Sequence, residues 1–372
     1  MDWWKKKKSR AVVKKERLAK GQRRGEMFLK ELIQCCDGKS NPIKFFSADQ
    51  ILEATERHFC KCNILERSQN VCECSRVSDL IFQGKWYSGM LDNHRMILVK
   101  KMLGRSRDPP KDICSGPPKD IAISSMVSGH KNFMKLVGCC LEFEYPVLVY
   151  YGVEKQYSPI DLKIVVSWRR RMKIAEDIAI SLAYLHTAFP RPFVYRNMGF
   201  RNILLDENGV AKLIDLSYCV SIPKGQKFVK LTWAGRDYDY MDDNYLYNRI
   251  VSEKTDAFGF GIFMQKLLIG EETFDELCGW KNWRGKNKVP KWLSKYMAEG
   301  MMDEIVDPKM KMGEISEEER FRMEAFVILS ERCIGLRGEV PKMVQVAKEL
   351  KRSFKNASSS DETQIVHANV LI

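Results

Sequence analysis

The residues of this chain whose types and spacing could do chemistry run through one stretch: Tyr195-Arg196-Asn197, then Asn202-Ile203-Leu204-Leu205-Asp206, then Asp215. A carboxylate in the third place of that triplet would take the proton of a hydroxyl as it attacks. Asn197 is an amide and accepts no proton at neutral pH. Upstream, Lys100 closes the apolar run Met96-Ile97-Leu98-Val99, and downstream Asp256 opens Asp256-Ala257-Phe258-Gly259-Phe260-Gly261. Thiols form a second reactive group. Cys60-x-Cys62 and Cys72-x-Cys74 have the ligand number of a zinc site, but structural sites leave about two to four residues between paired cysteines. Buried or incidental thiols are the expectation, and Cys139-Cys140, inside an apolar run, reads as packing.

The elements that must position these residues follow from periodicity. Met27–Ile33 has apolar residues at helical spacing, and a short helix is expected from Ser47, whose hydroxyl caps while Gln50 reaches back. Leu80–Phe82, Met96–Val99, Phe133–Val137 and Val147–Tyr151 read as strands of a small antiparallel sheet. The Pro/Gly-rich loop Asp108–Pro118 interrupts it and leads into a helical stretch, Lys119–Val127. Beyond Tyr157 the period is helical over Trp168–Leu185, Lys254–Leu268, Met323–Cys333 and Val340–Leu350. The expected organisation is an α+β, bilobal chain. It comprises a basic disordered arm (1–26), a helical prelude (27–62), a strand-rich lobe (63–154), a helical lobe (155–352) and a flexible tail (353–372).

Composition bounds the rest. The chain has 372 residues and a net charge of +14. Between Lys5 and Arg24 stand eleven basic residues against one acid, Glu16. Such an arm is a solvated tail, a contact to anionic lipid helped by Trp3 and Trp4, or a nuclear-import or nucleic-acid patch. No apolar run is long enough for a membrane span. Lysines directly after Trp4 argue against a secretory signal, and Asp2 against N-myristoylation. The expected address is the cytoplasm, with the plasma-membrane periphery reached through the arm.

In the order of these motifs the chain resembles the plant receptor-like cytoplasmic kinases over about residues 27–352. Phe46-Ser47-x-x-Gln50-Ile51-Leu52-x-Ala54-Thr55-x-x-x-Phe59 resembles the segment that precedes such kinase domains. Gly138-Cys139-Cys140-Leu141-Glu142 and Leu148-Val149-Tyr150 resemble the strands leading to the hinge. The resemblance implies that Lys100 is the lysine that pairs with nucleotide phosphates. It makes Asn202 and Asp215 the residual metal-ligand places, Asp256 a buried structural aspartate and Asn197 the degenerate base position.

The departures point to lost activity. The stretch Arg67–Lys85 contains only Gly84 where three glycines would let backbone close over phosphates. The acidic partner of Lys100 falls on Ile121, with the shorter Asp120 one place off, and whether that pair forms is left open. Asp215-Leu216-Ser217 replaces Asp-Phe-Gly, Gly199 replaces a phosphate-stabilising lysine, and Asp242-Asp243-Asn244 lacks the segment glutamate. The arginine that would pair with that glutamate falls near Val340 and is missing too. Losing both ends of a buried ion pair is nearly neutral, whereas losing one is costly.

Closer stretches narrow the resemblance. Phe28-Leu29-Lys30-Glu31-Leu32, Asp120–Met126, Leu185-His186-Thr187-Ala188-Phe189-Pro190 and Pro341-Lys342-Met343 are similar to the plant pseudokinases related to the HopZ-effector-triggered-immunity-deficient protein. That resemblance implies an adaptor or decoy. Its partners would be a leucine-rich-repeat, coiled-coil NLR immune receptor and bacterial effectors, or host kinases that effectors have modified. No cofactor is required on this reading, and ATP with Mg²⁺ would bind weakly at most. Ser221 and Thr232, in the segment Ser217–Asn244, are the candidate modification sites. A weakly active or nucleotide-binding serine/threonine kinase is the alternative. Nucleic acid rests on the arm alone and is not the expected partner.

Overall fold

The computed structural model describes residues 10–38, 41–55, 84–102, 116–143, 145–152, 157–232, 240–277, 293, 296, 299, 301–310 and 316–353. Contacts divide the chain into two compact units. The first is Met1–Pro159 with Ile214–Tyr218, and the second is Ile160–Leu213 with Cys219–Ile372. The division therefore lies a few residues beyond the expected 154/155, and the short segment after Ile214 joins the N-terminal unit.

The N-terminal unit opens with a helix, α1 (Arg10–Cys36). This corrects the disordered arm: residues 10–26 are helical and continuous with the predicted Met27–Ile33. Lysine, arginine, alanine and leucine are good helix formers, and one stripe of the helix is docked. Arg24 Nη1 donates to Leu141 O at 2.8 Å and to Phe143 O. Arg17 pairs with Asp49 at 3.4 Å, and Phe28 meets Phe45 edge-on, centroids 5.8 Å apart. Trp3, Trp4 and the first lysines lie outside the described residues, as do Cys60, Cys62, Cys72, Cys74 and most of Asp108–Pro118.

Next come β1 (Lys44–Phe45) and α2 (Ala48–Ala54). The expected capping box is present: Gln50 N–H donates to Ser47 Oγ at 3.2 Å, and Ser47 N–H to Gln50 Oε1 at 3.0 Å. The sheet adds β2 (Gly84–Met90), β3 (Met96–Met102), β4 (Leu136–Cys140) and β5 (Val147–Tyr151), in the order β1-β4-β5-β3-β2. It is mixed rather than purely antiparallel, because β1 runs parallel to β4 with Lys44 opposite Gly138. Only glycine permits that approach, since a Cβ at residue 138 would lie 2.0 Å from Lys44 O. Strand β2 had no sequence prediction, and Phe133–Met134 precedes β4 rather than forming it. Between β3 and β4 lies α3 (Gly116–Val127), which starts before the predicted Lys119. Proline is tolerated in a first helical turn, where its missing N–H has no partner to lose.

The helical unit is built around α4 (Trp168–Thr187), α5 (Glu253–Ile269) and α8 (Glu317–Ile334), with α6 (Glu271–Leu277) and α7 (Met302–Ile305) between the last two. Helix α5 packs closely on α8 through Gly261, where an added Cβ would lie 2.8 Å from Ser330 O. A final helix covers 343–353, so Ser353 is helical and the rest of the tail lies outside the described residues. Arg171 on α4 is a fully buried residue that the sequence reading missed. It donates to Val165 O (2.7 Å), Leu267 O (2.8 Å) and Leu162 O (3.0 Å), and pairs with Asp307 at 2.7 Å. Burial lowers its pKa while Asp307 opposes that shift.

Candidate functional site

Pleat and register sort the side chains of the N-terminal sheet into two faces, because directly opposed residues point the same way and neighbours alternate. Tyr87, Ile97, Val99, Val147 and Val149 face the core formed with Phe46, Ala48 and Ile51. Lys100 stands opposite Trp86 on β2 and Leu148 on β5, so all three share the other face. Lys100 is almost fully buried there. Its Nζ lies 3.4 Å from Asp120 Oδ2 on α3 and 4.0 Å from Asp215 Oδ1. The open question about its partner is thereby answered: Asp120, one residue before the expected place, makes the ion pair.

Asp120 is held as firmly as it holds. Its Oδ1 accepts from Ser124 Oγ at 3.1 Å and from Leu216 N–H at 3.0 Å. One carboxylate thus ties β3, α3 and the residue after Asp215 together. Burial alone would lower the Lys100 pKa, but the charges of Asp120 and Asp215 overcome it and raise it. Burial pushes Asp120 up, assisted by the like charge of Asp215 and opposed by Lys100. Asp215 has φ +58°, a left-handed backbone that is uncommon for a residue with a side chain and clusters at active sites. Ser217, in the expected glycine place, donates its hydroxyl to Asp215 Oδ1 at 2.6 Å.

In the helical unit Asp256 is the anchor. Its Oδ2 accepts from Tyr195 N–H at 2.7 Å and bonds His186 Nε2 at 2.8 Å, while Oδ1 accepts from Arg196 N–H at 2.8 Å. The loop is therefore shaped as a catalytic loop would be, with Asn197 in the base position and buried. Asn202 Nδ2 donates to Asn197 O at 2.7 Å, which commits its amide to the loop backbone. Arg196 Nε donates to Tyr245 Oη at 3.0 Å, with its guanidinium 4.9 Å from the ring centroid. In the last helices Arg337 pairs with the buried Glu331. Asp242 caps its own turn, accepting from Tyr245 N–H at 3.1 Å, and burial raises its pKa.

Two predicted residues separate on accessibility. Thr232 is exposed. Ser221, in a short strand paired with Phe193–Val194, has its Oγ shut away from solvent without a hydrogen-bond partner. An enzyme cannot reach it there, so Thr232 is the accessible member of the pair. Trp86 is the functional position the sequence reading missed. The signal for Trp86 was its place two residues after Gly84, where the pattern G-x-G-x-x-G-x-V carries valine.

Phosphoryl transfer needs a base, a phosphate cradle and an unencumbered metal site. Here the base position is an amide, which cannot accept the hydroxyl proton. Among the described residues no cluster of three His, Cys, Asp or Glu side chains could hold a metal ion.

The sequence matches the protein kinase domain family over residues 83–322. The chain belongs to the protein-kinase family. Within the family it is similar to non-functional pseudokinase ZRK15 of Arabidopsis thaliana, at 57% identity over 97% of this chain and 98% of that protein. It is 36% identical to non-functional pseudokinase ZED1 of the same plant, over 88% of this chain and 94% of the relative. The solved structure of an apo pseudokinase, GRMZM2G135359, aligns with TM-score 0.53 at 19% identity, over 85% of this chain and 96% of that one. That likeness is one of fold. The chain is a pseudokinase related to ZRK15 and ZED1, and it is not an enzyme. Among its described residues no helix is long and apolar enough to cross a membrane.

Proposed function

We propose that this pseudokinase acts by contact, as an adaptor or decoy that presents its folded surfaces to a leucine-rich-repeat NLR immune receptor and to bacterial effectors or the host kinases they modify. The observation that carries this reading is a kinase-type scaffold with its Lys100–Asp120 pair and Asp256 anchor in place around a base position filled by the buried Asn197 amide. A fold can outlive its chemistry as a binding platform. The segment after Ser217 supplies one surface, with Lys224, Lys227, Lys230, Thr232 and Phe228 exposed, the last at 48%. It suits an acidic or acid-modified partner, and a phosphate on Thr232 would reset its charge. No nucleotide or Mg²⁺ is needed for this role.

Helix α1 supplies a second surface. Leu18, Leu29 and Ile33 are half exposed or more on its outer side, beside exposed Lys15, Arg23 and Lys30. That mixture suits an anionic membrane surface and supports a reading in which the protein works at the cytoplasmic periphery of the plasma membrane. Co-purification from plant tissue tests the adaptor reading. The native chain should capture an NLR receptor, and Lys224→Glu/Lys227→Glu/Lys230→Glu should lose the effector-dependent partner while keeping its thermal midpoint. Retention of every partner by the triple variant would contradict the role given to the segment.

A further inference from the structure

Trp86 lies on β2 opposite Lys100, so its indole leaves the sheet on the face that carries Lys100, Leu148 and, two residues along β3, Leu98 with its partner Tyr150. This is the face on which a kinase-type lysine would meet its nucleotide. The Trp86 ring is 5% exposed, and its centroid sits 5.6 Å from that of Tyr150 with the planes tilted by 32°. Its Nε1 is buried without an acceptor. A tryptophan kept for ordinary packing generally finds a partner for that N–H. Here the donor is stranded, at a cost in stability, so the property retained at this position is the size and flatness of the ring.

An indole is a fused bicyclic plane of about the same extent as a purine, and the position it occupies carries valine in the phosphate-loop pattern. We infer that Trp86 is a built-in plug: its indole fills the space beside Lys100 and Tyr150 that a nucleotide base would need. The side chain, more than the missing glycines, keeps the base out. The glycines govern phosphate approach alone, whereas the indole competes with the base for volume. Replacing it with the family's small residue opens a site for a flat aromatic heterocycle. This inference is independent of the adaptor reading, since receptor capture can fail with the plug in place.

Adenosine is the suitable probe, because it has no phosphates and makes no demand on the absent cradle. Binding is measured calorimetrically for the native chain, Trp86→Val and Trp86→Phe. The native chain and Trp86→Phe should show no saturable binding, and Trp86→Val should bind at least ~10-fold more tightly than either, one decade in affinity. Trp86→Phe should also keep or raise the thermal midpoint, since it retains most of the bulk and removes the stranded donor. Adenosine binding equally to the native chain and Trp86→Val, or equally to the Val and Phe variants, would overturn the plug. Hydrogen exchange of the Trp86 indole N–H in the native chain, assigned by its loss in Trp86→Phe, decides the matter even if Trp86→Val does not fold. Protection as deep as that of the β3 amides supports the plug. Exchange at the rate of exposed indoles overturns it.

Discussion

Lys100 illustrates how one residue changes meaning when its neighbours change. The lysine–acid pair of a phosphotransferase is present here as Lys100–Asp120, with Asp215 4.0 Å from the same ammonium, but it stands beside a base position that is an amide. Asp120→Ala would strand much of that charge, leaving Asp215 as a 4.0 Å partner. The expected loss is about 3 kcal/mol in urea denaturation, the low end for a broken buried pair. Lys100→Met/Asp120→Leu should recover most of it. The buried thiols give a second prediction. Burial pushes Cys139, Cys140 and Cys333 up to about 12 from an ordinary 9.0. At pH 8 they should resist alkylation until the chain unfolds, as peptide mass spectrometry would show. Because the unfolded thiols ionise first, their contribution to stability is complete below pH 9.0 and is lost as pH climbs toward 12. At this scale the sequence exposed Asp256 by its motif, and Asn197 and Ser217 because they differ in type from what the chemistry needs. It left the Lys100–Asp120 pair open and concealed Trp86, whose role comes from strand register rather than identity.

Among the elements, α1 departs most from the sequence expectation. Its basic density suggested disorder, yet its docked side combines Arg17, Arg24, Phe28 and Leu32 with partners far along the chain. Those partners are backbone carbonyls, the Asp49 carboxylate and the Phe45 ring, which nothing local in the sequence reveals. Phe28→Ala should therefore destabilise the N-terminal unit by about 3 kcal/mol, whereas truncating the exposed Leu29 should cost less than ~0.5 kcal/mol. Equal losses at both positions, read from thermal melts, would show that α1 is not docked by this stripe. The capping box of α2 and the long helices α4, α5 and α8 were legible, because capping and periodicity are local signals. Strand β2 was not, since Lys85-Trp86-Tyr87-Ser88 alternates too weakly beside glycines to announce a strand.

Across the whole molecule, an ordered kinase architecture stands beside a set of disabled catalytic positions. The anchor Asp256, the left-handed Asp215 and the Lys100–Asp120 pair are all in place, so the departures did not unmake the fold. The departures are several, so restoring one group should not restore activity. Asn197→Asp returns a carboxylate to the base position, but leaves Ser217 on Asp215, Gly199 and Trp86 untouched. The most direct measurement is transfer of labelled phosphate from ATP with Mg²⁺ or Mn²⁺, comparing the native chain, Asn197→Asp and Lys100→Met. The expected result is that all three match the protein-free blank. Incorporation by the native chain that disappears in Lys100→Met would contradict the account, because it would mean phosphate moves through a site that lacks its base.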